Sequence, residues 1–276
     1  MKVSVPYGNE TVEVEVSGHN LIAVASPKEV TTEADLVAQV RQALRFPIDT
    51  VAFAEMLKGG EHLLLLVDDI TRATPTDQIL PVLLEELQVE RKNVQVTILI
   101  ALGTHRKMTQ EEIERKVGGE IVASYPVLNH EWDDESALID LGITPNGTPI
   151  KINRWIEDVD LCIGIGNIAP HNLAGWSGGG KILQPGICGK ETTYQTHLIA
   201  ARCPTTNLGK LVNPVRAEIE QVAGRTKMKW VLNTVLDRHG RVAHVVAGET
   251  QAAHRRGVAL ARPISEVPVP GLEPPR

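Results

Sequence analysis

The sequence predicts an α/β fold: a mainly parallel sheet with flanking helices, plus antiparallel hairpins near its N-terminal and C-terminal ends. Three observations carry this. Continuous apolar runs at residues 62–67, 94–102 and 161–168 read as strands covered on both faces, the pattern of a parallel sheet. Stretches with helical spacing lie between and after them. Each run also ends in a polar, glycine- or threonine-bearing motif, as expected where strands deliver ligand-binding loops.

The chain starts with two alternating segments, Lys2–Tyr7 and 11–16, around Gly8-Asn9, a pair suited to a tight hairpin turn. Residues 32–46 space Leu36, Val37, Val40 and Leu44 along one helical face and stop before Pro47. The first strand runs into Asp68-Asp69-Ile70-Thr71-Arg72-Ala73-Thr74-Pro75, and residues 77–87 follow as a helix. The second strand runs into Gly103-Thr104-His105-Arg106. Thr109 with Glu112 then forms a capping box that opens a helix to Val117. The third strand runs into Pro170-His171-Asn172-Leu173-Ala174-Gly175-Trp176-Ser177-Gly178-Gly179-Gly180-Lys181. Helices are expected at 191–201 and 214–222, the latter with Pro214 at its start. Residues 230–236 and 241–246 read as a hairpin through Arg238-His239-Gly240, and 250–261 as a last helix. Residues 1–262 thus read as one α/β domain and the proline-rich 263–276 as a linker or tail.

Composition narrows the function classes. A net charge of −6 lacks the basic footprint of nucleic-acid binding. The start of the chain has no apolar signal segment, and no apolar run approaches the roughly 20 residues that span a bilayer. Cys162, Cys188 and Cys203 are too few and too scattered for a disulfide framework or zinc knuckle, and read as reduced thiols. A cytoplasmic location is expected.

Three motifs at three strand ends point to one composite site. Lys181, closing a run of small residues, is placed either to meet a phosphate or to act as a nucleophilic amine. Gly175-x-x-x-x-Gly180-Lys181 has the spacing of a nucleotide-binding P-loop. Ile182, however, stands where the magnesium-binding Ser or Thr belongs, and Pro185 interrupts the helix that should follow. His105 and His171 suit proton transfer near neutrality. Asp69 and Arg72 form a local ion pair, or Arg72 binds a carboxylate or phosphate. His197 alone reads as a helix-surface residue. The remaining histidines read as structural, and 131–135 as a solvated acidic loop.

These motifs, with the later Asn213-Pro214-Val215-Arg216, resemble those of the nickel-pincer lactate racemases, in the same order along nearly the whole chain. In that family the cofactor is a pyridinium mononucleotide whose two sulfur-bearing arms grip nickel, one arm being joined to a lysine as a thioamide. The resemblance implies that Lys181 tethers the nickel-pincer nucleotide covalently, that His197 is the nickel ligand, and that His105 and His171 are the catalytic acid/base pair. It assigns Asp69 to holding the cofactor and places Arg72 by the substrate or cofactor, as a substrate-binding residue. Ser177, Gly178, Gly179 and Gly180 would receive the cofactor phosphate on backbone N–H groups. The implied reaction is racemisation of a small 2-hydroxy acid through hydride transfer and a 2-keto acid. Family members continue into a second domain that closes over the substrate, which this chain is expected to lack. The partners implied are cofactor-biosynthesis proteins and a homo-oligomeric copy or separate lid chain. A non-catalytic cofactor-binding or partner protein, and a P-loop-like NTPase, are the competing readings.

Overall fold

The structure is a computed structural model that describes residues 1–267 apart from 8–9, 22, 26, 28 and 31–34. The Gly8-Asn9 turn and the start of the helix expected from residue 32 lie outside the described residues, as does the tail beyond 267.

In chain order the elements are β1 (Lys2–Tyr7), β2 (Glu10–Glu15), α1 (Leu36–Arg45), α2 (Phe53–Met56), β3 (His62–Asp68), α3 (Thr76–Glu86), β4 (Gln95–Ala101), α4 (Gln110–Val117), α5 (Gly119–Ser124) and β5 (Val127–Asn129). There follow β6 (Leu138–Ile143), β7 (Pro149–Asn153), β8 (Leu161–Ile168), β9 (Pro170–His171), β10 (Gly175–Trp176), α6 (Lys190–Ala201), α7 (Pro214–Gly224), β11 (Met228–Leu236), β12 (Val242–Glu249) and α8 (Thr250–Ser265).

The central sheet has six strands in the order β12-β11-β8-β3-β4-β5. All neighbours are parallel except β12, which returns antiparallel along β11. The C-terminal hairpin is therefore the outer part of this sheet, because β11 pairs with β8 from Met228 to Val235. The antiparallel pair β6–β7 has no counterpart among the sequence-based expectations; β6 is half-exposed, and β7 buries only Ile150, Ile152 and Asn153, so no apolar run marks the pair.

The apolar strands divide their side chains between two buried faces. Leu63, Leu65 and Val67 join Ile98, Ile100, Ile163 and Ile165 in one core layer, which α3 and α4 cover with Ile79, Leu83, Ile113 and Val117. Leu64 and Leu66 face the opposite layer with Leu99, Cys162, Ile182, Leu183, Val222 and Val231. A period of two with both faces buried is why these strands read as unbroken apolar runs. A third cluster, including Trp176, Val235, Val246, Val258 and Ile264, packs α8 against the far side of the sheet. α8 runs to Ser265, past the point at which the sequence reading starts its proline-rich tail. Pro263 lies in the last turn of this helix, and burial of Ile264 holds that turn against the core. No described helix is long and apolar enough to cross a membrane.

The chain builds β3, β4 and β5 outward in one direction, then returns to the other side of β3 with β8 and β11. The strand order thus reverses beside β3, and at such a switch point the loops leaving the strands' carboxyl ends diverge to leave a crevice.

Candidate functional site

A cleft of about 230 Å³ opens at this crevice, and Asp69, Arg72, His105, His171, Lys181 and His197 all line it. Ser177 and Gly178 also reach it. The three strand-end motifs meet in one place, as the sequence implied.

Asp69, directly after β3, is buried and fully engaged. Its Oδ1 accepts from the backbone N–H of Thr71 at 2.9 Å and from the Thr71 hydroxyl at 2.5 Å. Its Oδ2 lies 2.5 Å from Nδ1 of His105. Burial works against the charged form of Asp69, but the donors from Thr71 and His105 outweigh it and hold the carboxyl below its ordinary range. The local Asp69–Arg72 ion pair does not form: Asp69 is taken by His105, and Arg72 forms no ion pair among the described residues. The Arg72 side chain is exposed in the cleft.

The loop carrying Asp69 and Arg72 is tied down from behind by Lys116 of α4. Its ammonium donates to the carbonyls of Arg72 (2.9 Å) and Thr74 (3.1 Å) and lies 2.7 Å from Asp68 Oδ1. The capping box of α4 forms as expected, and its Glu112 also takes both guanidinium nitrogens of Arg106. With Arg106 held away, His105 lines the cleft together with Gly103 and Thr104.

His171 ends the short strand β9 and is half-buried. Its Nδ1 accepts from the backbone N–H groups of Leu173 and Ala174, both at 3.2 Å. Burial, then the charges of Lys181, Arg72, Arg216 and His197, lower its pKa to about 3. The ring is neutral at physiological pH.

The glycine run is packed rather than open. Gly178 and Gly179 both have positive φ, and a Cβ on Gly179 would sit 2.8 Å from the His254 ring. One on Gly178 would sit 2.6 Å from Ile168, and one on Gly180 would press on Ala223 and Ile219 at 3.2 Å. Gly179 and Gly180 do not line the cleft. Three of the run's N–H groups are engaged within the protein: Ser177 N–H donates to Ala169 O, Gly179 N–H to Asn233 Oδ1, and Lys181 N–H to Gly178 O. The Ser177 hydroxyl is spent on Asn167 O and Ala169 N–H. Arg216 of α7 donates to the carbonyls of Trp176 and Gly178, and His254 Nε2 donates to Ser177 O at 2.9 Å. These buried donors fix the run in place beneath Lys181.

Lys181 itself lies deep in the cleft and is partly accessible along it. Burial, then the positive charges of Arg72 and Arg216, lower its pKa to about 8, against the opposing pull of Asp69 and Asp68. Only a short turn of 3-10 helix, Gly179–Ile182, follows the run, and an α-helix begins no earlier than Lys190. The long helix that a nucleotide P-loop needs behind its lysine is missing, so the NTPase reading loses its structural basis.

His197 is on α6, exposed but turned to the cleft beside Thr193 and Thr196. No three His, Cys, Asp or Glu side chains form a metal cluster among the described residues.

The family model for the lactate racemase N-terminal domain matches residues 7–209. The chain belongs to this family. It is 29% identical over 270 residues to a lactate racemase of Lactiplantibacillus plantarum, covering 96% of this chain and 64% of the relative. It is 27% identical over 269 residues to one of Thermoanaerobacterium thermosaccharolyticum, covering 63% of that protein. The lactate racemase apoprotein structure from the latter organism superposes with a TM-score of 0.87 at 28% identity, over 97% of this chain and 63% of that one. A Thermotoga maritima crystal structure superposes with a TM-score of 0.69 at 28% identity, over 82% of this chain and 57% of that one. The chain thus spans a little under two thirds of the length of the relatives it matches.

Sequence reasoning missed the residues that support this site from behind. Lys116 occupies a position of α4 that looks solvent-facing on spacing alone, yet its side chain is 3% exposed. Asn233 lies within an apolar strand, and His254, far along the chain, shows no partner spacing that would single it out. A polar residue inside an apolar run, as at Asn233, is the one signal present.

Proposed function

We propose that this chain forms the cofactor-holding part of a racemase or epimerase of small 2-hydroxy acids, with a nickel-pincer nucleotide attached at Lys181. One observation carries the reading: a half-buried lysine of lowered pKa, a carboxylate–histidine pair, a second histidine, an arginine outside any described ion pair and a helix histidine share one cleft. When bound, such a group supplies a carbon that takes up and returns the α-hydride, so that the acid racemises by way of its flat 2-keto form.

The residues divide the remaining work. Lys181, with a substantial amine fraction near neutrality, is the covalent anchor. His197 gives nickel one imidazole nitrogen, the kind of ligand this metal favours. Arg72, bound to no carboxylate among the described residues, orients the substrate carboxylate. His105 and His171 face the reacting centre and handle its hydroxyl.

His105, Arg72 and His197 are all exposed, so the cleft by itself does not exclude water. Tyr194 and Leu198, on the same face of α6 as His197, are exposed large apolar side chains. We read this rim as the surface that a closing domain, a second copy or a separate lid chain covers, to keep the keto acid from escaping. Without closure, binding and storage of the cofactor outlast turnover, the second function this surface supports.

Co-expression with cofactor-making proteins, followed by intact mass and metal analysis, tests the reading. An adduct on Lys181 with one nickel is expected, absent in Lys181→Ala. Racemisation of lactate or another short 2-hydroxy acid by the same sample separates an enzyme from a cofactor carrier. Unmodified Lys181 under these conditions sinks both.

A further inference from the structure

We infer that Gln184 is a positioning residue for His197: its side-chain amide, acting through Thr196, locks the helix that presents His197 to the turn that presents Lys181. What Lys181 and His197 bind is taken from the racemase reading, but the link itself stands on hydrogen bonds within this chain.

The helix α6 is not docked by an apolar stripe, as a surface helix ordinarily is. Its fully buried side chains are Thr192, Thr193 and Thr196. Its apolar packing is made by Ile199 and Ala200, both half-buried and both beyond His197, against Ala174, Val215 and Ile219. The part of the helix that leads up to His197 is therefore held by directional bonds. Thr192 Oγ1 accepts from the Lys151 N–H of β7 at 3.0 Å and donates to Pro149 O at 2.8 Å. Glu191 lies 3.4 Å from the Lys151 ammonium and ties the same turn to the same strand. Thr193 donates to Gly189 O and binds α6 only to its own start. Beyond that first turn, Thr196 to Gln184 is the buried polar contact that holds α6 to another element among the described residues.

Gln184 stands three residues after Lys181, and its N–H donates to Gly180 O at 3.0 Å. Its side chain is fully buried, and Nε2 donates to Thr196 Oγ1 at 2.6 Å. Thr196 fixes that direction. Its single hydroxyl proton goes to Thr192 O at 2.9 Å, so its oxygen can only accept from Gln184. Gln184 Oε1 is then buried with no protein partner among the described residues.

A buried acceptor left unpaired costs folding free energy, which an apolar side chain of the same size would avoid. Stability therefore does not account for an amide here; what it joins does. Lys181, Thr196 and His197 line the cleft, and Gln184 sits behind them. One hydrogen bond thus spans the two backbones that present the anchoring amine and the metal-binding imidazole, and sets their separation.

Gln184→Met tests this, because it nearly keeps the volume, removes the link and leaves no new polar group unpaired. In the cofactor-free chain the urea midpoint should hold or rise. Amide hydrogen exchange across α6, read by mass spectrometry on its peptides, should quicken by about tenfold. Thr196→Val breaks the same bond from the other side, and in the Gln184→Met background it should add little. In protein loaded by co-expression with cofactor-making proteins, the Lys181 adduct should still form. Nickel should pass to a chelator about tenfold faster than from the parent, the effect expected when the support of a metal ligand is lost. Thr196→Ser, which keeps the hydroxyl, should retain nickel like the parent. Unchanged exchange in α6, additive effects of the two substitutions, or equal nickel retention in folded Gln184→Met each overturn the inference. So does a fall in the urea midpoint large enough to account for the faster exchange. Failure of the racemase reading looks different: Lys181 stays unmodified in the parent itself, and the exchange measurement still decides the link.

Discussion

Arg216 makes no hydrogen bond to the Lys181 side chain, yet it sets that lysine's surroundings. Arg216 holds the carbonyls of Trp176 and Gly178, and so the run that ends at Lys181. Its charge, added to that of Arg72 and to burial, lowers the lysine's pKa to about 8. One buried guanidinium, itself only 3% exposed, therefore both shapes the floor of the cleft and adds to the lowering of its lysine's pKa.

That coupling fixes a pH dependence. A lysine with a pKa of about 8 is roughly one tenth amine at pH 7, against about one part in three thousand for an ordinary side chain. Labelling of Lys181 by an amine-directed reagent, read by peptide mass, should therefore rise through about pH 8, well below the other lysines. The lowering comes partly from a cation, so Arg72→Ala should move the midpoint up. An unmoved midpoint would assign the shift to burial and Arg216. Arg72 is exposed, so the substitution leaves the fold intact.

Asp69→Asn keeps the shape of the carboxylate but removes its charge, and it presents either an oxygen or an NH₂ to His105. The counter-charge for a protonated ring is lost, and the tautomer is no longer fixed. Turnover by the loaded protein should fall by about 100-fold or more, with the Lys181 adduct retained in the mass spectrum. Loss of the adduct as well would return Asp69 to the cofactor-holding role that the resemblance assigns it.

The parts of the fold legible in the sequence are those where one physical cause acts alone. Leu63 to Val67 alternate between two buried layers, so nothing polar interrupts them and the strand is plain. Thr109 and Glu112 cap α4 through local hydrogen bonds that need no other part of the chain. β5 is illegible because its residues are partly exposed and it pairs with β4 across two intervening helices, and β6 because none of its residues is fully buried. The site follows the same rule. His105, His171 and Lys181 stand out because strand-end loops display them, whereas Lys116, Asn233 and His254 act from behind, across 42 to 77 residues of sequence. The glycines read as a cradle for a ligand, but Gly179 is small because His254 is large.

Lys116 offers a stability test. Its ammonium and the Asp68 carboxylate form an ion pair out of water, with side chains 3% and 10% exposed. Lys116→Met leaves Asp68 buried without its cation and two carbonyls without a donor, which should cost about 3 kcal/mol or more in urea unfolding. Burial already pushes the Asp68 pKa upward, and losing the lysine pushes it further. Asp68 would then take up a proton on folding, so the variant's deficit should shrink as pH falls. Adding Asp68→Asn should restore most of the loss. If the double variant is no more stable than the single one, the carbonyl contacts rather than the ion pair hold the loop.

Gly179→Ala tests whether the run is a packed element. At a φ of 58° an alanine is strained, and its Cβ would meet the His254 ring at 2.8 Å. His254 is buried and donates to Ser177 O, so displacing it releases the carbonyl it holds. A loss of about 2 kcal/mol or more is expected, from strain and overpacking together. Gly224→Ala is the matched control: that residue ends α7 with nothing within 4 Å of where a Cβ would sit, and alanine there should be neutral or stabilising by up to about 1 kcal/mol. Because the run carries Lys181, Gly179→Ala should also reduce amine labelling near pH 8 at temperatures where the variant is still folded. Full stability with unchanged labelling would mean that the loop gives way, and that its glycines are there for a ligand after all.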